Sequence, residues 1–161
     1  MSAGKTVFRT ALVAVAVVLV DQLSKAIVRG QISRFEEVDL FLRIKLINTR
    51  NTGVAFSMFS GGGPLVVVIA IVALGALLAF FFTHLHKRLV WLPTGLLLGG
   101  ALGNLIDRLR IGYVVDFVDA GIGGLRWYTF NVADTAISFA ILLLLAVSLV
   151  PAVARRAGVN G

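Results

Sequence analysis

The chain has 161 residues, of which 58% are hydrophobic, with a formal charge of +7 and a mean hydropathy of +0.96; that apolar share exceeds the ~45–50% of ordinary soluble domains, and a soluble fold this short has too little interior to hide it, so the composition points to a bilayer protein. The absence of cysteine excludes disulfides, thiol catalysis and thiolate metal sites. The two histidines, His84 and His86, adjoin Lys87 and Arg88 and form no HExxH pair for zinc-protease chemistry, and a basic excess in a membrane chain marks cytoplasmic anchoring, not nucleic-acid binding.

The first apolar segment is predicted over about residues 10–28. Its start, Ala11 to Val20 behind Lys5 and Arg9, resembles the opening of a signal peptide, but Asp21-Gln22-Leu23-Ser24-Lys25 follows in place of a small-residue cleavage site. It therefore reads as an uncleaved span. Asp21 and Lys25 stand at i,i+4 on one helix face, either as a self-neutralising pair at a helix end or as a brace near a site. Residues 30–62 are too polar for the bilayer interior. Within them Leu42-Arg43-Ile44-Lys45-Leu46 alternates apolar and charged residues, the period-2 pattern of a half-buried strand, and a small strand-rich platform is expected there. Asn51 and Gly53 close it, with turn chemistry as one reading.

A second segment, residues 64–83, carries no charge and matches the ~20 residues needed to cross a bilayer. The short basic turn His84 to Arg88 follows. A third segment, about 89–107, repeats glycine at Gly95, Gly99 and Gly103, a smooth stripe that admits a neighbouring helix closely. Asn104 and Arg108 continue that stripe at its polar end, with Asp107 near the same face. Residues 109–130 read as a loop, or a loop with a helix, carrying the interfacial aromatics Trp127, Tyr128 and Phe130. The last segment, about 131–150, opens with Asn131, Asp134, Thr135 and Ser138 at i, i+3, i+4, i+7, a polar stripe on an apolar helix.

Together these elements predict a single α-helical membrane domain with four transmembrane helices, a small extracytoplasmic β platform and an extracytoplasmic loop or helix. With four spans both termini share a side. That side holds Lys5, Arg9, Lys87, Arg88, Arg155 and Arg156 and no acidic residue, so charge bias makes it cytoplasmic. Asp116 and Asp134 then lie at the outer face.

An aspartate within a membrane helix costs roughly 2.5–3.5 kcal/mol on insertion scales. The gathering of Asp116 and Asp134 with Asn104, Asp107, Arg108 and Asn131 is therefore an expensive polar cluster and a candidate site. Two carboxylates in close contact share a proton. One can then take a proton from water while its protonated partner polarises an amide carbonyl. On spacing alone, an ion path and structural pairing with Arg108, Arg110 or Arg126 stay open beside this proteolytic dyad.

Five motifs bear on the choice: Asp21-Gln22-Leu23-Ser24-Lys25, Asn51-Thr52-Gly53-Val54-Ala55-Phe56-Ser57, Gly103-Asn104-Leu105-Ile106-Asp107-Arg108, Val114-Val115-Asp116-Phe117 and Phe130-Asn131-Val132-Ala133-Asp134. In this order, and over nearly the whole chain, they resemble the lipoprotein signal peptidases, or signal peptidase II; Val54 stands where that family often has Ala. The resemblance implies an aspartyl endopeptidase of the bacterial inner membrane, without cofactor or metal. It would cut lipidated prolipoproteins just before the diacylglyceryl-modified cysteine and would be blocked by globomycin-like inhibitors. It places the catalytic pair on Asp116 and Asp134, and substrate-binding or site-shaping roles on Asp21, Lys25, Asn51, Gly53, Asn104, Asp107, Arg108 and Asn131. The expected partners are the precursor and membrane lipid, for a monomeric enzyme.

Overall fold

A computed structural model describes residues 2–41, 43–53, 63–84, 90–122 and 125–149. Four helices are present: α1 (Ala3–Gln31), α2 (Gly63–Thr83), α3 (Trp91–Ile111) and α4 (Val132–Leu149). The strands are β1 (Glu37–Phe41), β2 (Ile44–Asn51), β3 (Val114–Ile122) and β4 (Leu125–Arg126). Leu42, Val54 to Ser57 of the second motif, the basic residues His86 to Arg88, and Arg155 and Arg156 lie outside the described residues.

α1 is built inside out. Its buried positions include Thr6, Thr10, Ala14, Asp21, Lys25 and Val28, while Phe8, Leu12, Val15, Leu19, Leu23 and Ile27 are exposed. A helix that turns small and polar residues to its neighbours and large apolar ones outward is suited to lipid, where helix contacts come from close packing and hydrogen bonds. α2 exposes Leu65, Val68, Ile71, Val72, Phe80 and Phe82. Both helices are long and apolar enough to cross a membrane, and Val132–Ala146 is a shorter apolar stretch. At 1.5 Å per residue, the 29 residues of α1 reach ~44 Å, so α1 outruns the ~30 Å hydrocarbon layer and begins and ends beyond the expected 10–28.

α3 is the hub, packing against α1, α2 and α4. The glycine stripe explains its contact with α1. A Cβ on Gly95 would come within 2.9 Å of the Thr10 carbonyl oxygen, and one on Gly99 within 2.8 Å of the Ala14 carbonyl oxygen. α3 ends where Gly112 takes φ 79° and its N–H caps the Arg108 carbonyl at 3.1 Å, a left-handed turn that suits glycine.

Beyond Gly112 the structure departs from the expected loop or helix over 109–130. The chain enters β3, which joins the platform in an antiparallel sheet of order β1-β2-β3-β4. The reason is burial on both faces: Val114, Val115, Asp116 and Phe117 are all buried, so the strand lacks the alternation that marks a half-exposed one. The predicted strand begins at Ile44, after Arg43 at φ 65°, and pairs with β3 so that Thr49 faces Asp116 and Asn51 faces Val114. Phe117 packs with Val28 and Ile32 at the end of α1, flanked by Leu46, Val118 and Val132. This small core fixes the sheet over the ends of α1 and α4. Trp127 and Tyr128 are exposed, whereas Phe130 bridges to Val118 in the sheet.

Candidate active site

Asp134 is oriented by the start of its own helix. Asn131 precedes α4; its Oδ1 accepts the Asp134 N–H at 2.9 Å, and Asp134 Oδ2 accepts the Asn131 N–H at 3.3 Å. The two side chains satisfy each other's backbone donors, as in a capping box. The carboxylate also sits at the helix end whose dipole favours negative charge. The expected polar stripe thus divides. Asn131 is fully buried and turned into the site, while Thr135 bonds back to the Asn131 carbonyl at 2.9 Å and Ser138 is exposed.

Asp116 comes from β3 and is 2% exposed. Its Oδ1 accepts Asn131 Nδ2 at 2.7 Å and its Oδ2 accepts Asn51 Nδ2 at 2.9 Å. Burial, then the Asp134 charge, push the Asp116 carboxyl up to about 6, against the opposing pull of the Asn51 and Asn131 hydrogen bonds and Lys25. Asn131 therefore touches both acids, donating through its side chain to one and exchanging two bonds with the other. Its Nδ2 also reaches Asn104 Oδ1 at 3.2 Å and the Val115 carbonyl at 3.4 Å; with two protons for three acceptors, the longest contact is the weakest.

The other residues singled out in the sequence gather around this pair. Asn104, on α3, donates through Nδ2 to Asp134 Oδ1 at 2.8 Å. Lys25, from α1, donates to Asn104 Oδ1 at 3.0 Å and pairs with Asp21 at 2.8 Å and Asp107 at 3.0 Å. Asp21 and Lys25 do pair, but inside α1, which runs on to Gln31, and Lys25 reaches across to α3. Asn51 Oδ1 accepts the Gly53 N–H at 2.9 Å, a local turn, while its Nδ2 serves Asp116. Arg108 donates to the Gly53 carbonyl and, at 3.3 Å, to the Asn104 carbonyl; its buried Nε has no hydrogen-bond partner among the described residues. Arg126 instead pairs with Asp119 at the far end of the sheet. Among the described residues, no group of three or more His, Cys, Asp or Glu is arranged to hold a metal ion.

Two contributors escaped the sequence reading of the site. Thr49 Oγ1 donates to the Asp116 carbonyl at 2.9 Å; only the β2–β3 register reveals it. Gln22 Nε2 reaches Asp21 Oδ2 at 3.2 Å, Asp107 Oδ1 at 3.0 Å and the Gly103 carbonyl at 3.2 Å. Its place in the first motif was the available signal.

Residues 13–150 match the sequence model of a family described as signal peptidase (SPase) II. The lipoprotein signal peptidase of Thermodesulfovibrio yellowstonii is 38% identical over 137 residues, covering 84% of this chain and 91% of its own length. That of Moorella thermoacetica is 39% identical over 145 residues, covering 88% and 93%. A solved structure described as a bacterial membrane enzyme is similar with a TM-score of 0.78 and 32% identity, over 87% of both chains. A second under the same description gives 0.77 and 31%, over 88% of this chain and 93% of the other.

Proposed function

Because the chain belongs to the signal peptidase II family and is a membrane peptidase, we propose that Asp116 and Asp134 are its catalytic pair, acting on lipidated prolipoproteins. The observation that carries this reading is the single buried amide of Asn131, which donates to Asp116 while its residue exchanges hydrogen bonds with Asp134. Two acids so joined cannot ionise independently. The Asp134 charge favours retention of the proton on Asp116. Asp134 then takes a proton from a water as that water attacks the scissile carbonyl, and Asp116 donates its proton to the carbonyl oxygen. Collapse of the tetrahedral species returns a proton to the leaving amine and leaves one proton on the pair.

The substrate is a precursor whose lipobox cysteine carries diacylglycerol, and the bond cut is the one just before it. The helices form four spans in a bacterial inner membrane, both termini are cytoplasmic, and the site opens at the outer interface, where the lipid on that cysteine is anchored. The apolar surface of α1 and α2 and the charge bias of the chain ends support this placement. The β platform and the exposed Trp127 and Tyr128 flank the bound chain, and globomycin-like inhibitors compete for the same space. The enzyme acts as a monomer.

Cleavage of a lipidated precursor, followed by gel shift, tests the reading. Asp116→Asn and Asp134→Asn are each expected to lower turnover by ~10²–10⁴-fold while the protein stays folded. Near-normal turnover by either variant overturns the assignment.

A further inference from the structure

Behind the catalytic pair lies a second buried polar centre, to which the cleavage chemistry gives no step. Its middle is Lys25, 2% exposed, with Asp21 at 0% and Asp107 at 4%. The three ammonium protons have three partners: Asp21 Oδ2 at 2.8 Å, Asp107 Oδ2 at 3.0 Å and Asn104 Oδ1 at 3.0 Å. What those partners do next is informative. Asp21 Oδ1 accepts the backbone N–H of Ala133 at 3.0 Å, the residue immediately before Asp134. Asp107 Oδ2 accepts the backbone N–H of Val115 at 3.1 Å, the residue immediately before Asp116. Asn104, its oxygen held by Lys25 and Asn131, has only its NH2 left to offer, and that group meets Asp134 Oδ1. Gln22 closes the assembly by donating to both carboxylates.

A pair that only glued α1 to α3 would have no reason to reach α4 and β3 at these two peptide groups. We propose that Lys25 is a positioning residue that sets the separation and aim of Asp116 and Asp134, by clasping Asp21 and Asp107 and fixing the orientation of the Asn104 amide. This rests on the reading of Asp116 and Asp134 as the catalytic pair. One ammonium thereby ties together the two chain segments that deliver the acids. The ammonium and both carboxylates are at most 4% exposed, so loss of the clasp is expected in the chemical step.

Lys25→Met alone strands two buried carboxylates, so the decisive variant is Lys25→Met combined with Asp21→Asn, which removes one charge of each sign and leaves an oxygen for Ala133. Gln22→Met, uncharged throughout, is the milder companion. Misplacement of a reacting group by about 1 Å costs ~10²-fold in rate. The double variant is therefore expected to lose ~10²-fold in kcat, with KM within ~2-fold of wild type. An inhibitor with a tetrahedral hydroxyl that spans both carboxyls should weaken by the same factor as kcat/KM falls. Gln22→Met should show a smaller loss in the same direction. Thr10→Val, which cuts the remote α1–α3 bond from Thr10 Oγ1 to the Trp91 carbonyl, should lower the unfolding temperature with kcat unchanged. Full kcat in both the double variant and Gln22→Met, with only their unfolding temperatures lowered, overturns the positioning role. If Asp116→Asn or Asp134→Asn also retains activity, the catalytic assignment itself is what fails; if both are inactive, only the role of Lys25 does.

Discussion

The interface between α1 and α3 is polar at both ends, in two different ways. At one end Thr6 and Thr10 are buried but neutral, and each hydroxyl donates to a backbone carbonyl, of Ser2 and Trp91 respectively. Gly95 and Gly99 provide the close approach there. At the other end the buried groups are ions, Asp21, Lys25 and Asp107, and their bonds run on to β3 and α4. Neutral polar packing suffices to hold two helices together in lipid. Burying charge is costly and adds little net stability over an apolar core, so cohesion alone does not account for the ionic end.

The contrast can be broken most sharply with Lys25→Met. Removing one member of a buried ion cluster costs ~3–5 kcal/mol, and equilibrium unfolding in detergent should register that loss. A smaller effect is expected from adding a methyl group at glycines along α3. A Cβ on Gly100 would lie 2.5 Å from the Ala133 carbonyl oxygen, beside Asp134, while Gly95→Ala meets only the neutral end. Both should lose ~1–3 kcal/mol through overpacking. Gly100→Ala should also lose turnover on the lipidated precursor, whereas Gly95→Ala should keep it per folded molecule. The smallest effect belongs to Thr10→Val, ~0.5–1.5 kcal/mol for one hydrogen bond, read as a modest drop in unfolding temperature. Equal activity losses from Gly95→Ala and Gly100→Ala would erase the distinction between the two ends.

Much of this was legible along the chain, and the reasons differ by residue. The i,i+4 spacing of Asp21 and Lys25 and the four-residue glycine repeat are helix geometry, which sequence carries directly. The capping exchange between Asn131 and Asp134 leaves only an i,i+3 spacing in the sequence, which fits a stripe along one helix face equally well. β3 was hidden because both its faces are covered, so Val114 to Phe117 show no alternation. The bonds from Lys25 to Asn104 and Asp107, and from Asp21 to Ala133, join positions on different helices. No local pattern encodes them; they follow from packing three helices and a sheet around one point.

The central claim is that one proton is shared by Asp116 and Asp134, and the pH dependence of kcat/KM on a lipidated precursor tests it most directly. Burial and the Asp134 charge hold Asp116 protonated up to about pH 6. Below that value the pair keeps its proton; above it both acids become charged and the proton donor is lost. The same raised affinity makes ionisation of Asp116 unfavourable to the fold, so stability too should decline as pH rises from about 4, the ordinary carboxylate range, through about 6. The expected profile is a bell, with activity also lost in acid when both carboxyls are protonated and an alkaline limb that falls as pH passes about 6. A rate constant that stays level from acid to alkaline pH would contradict the shared proton.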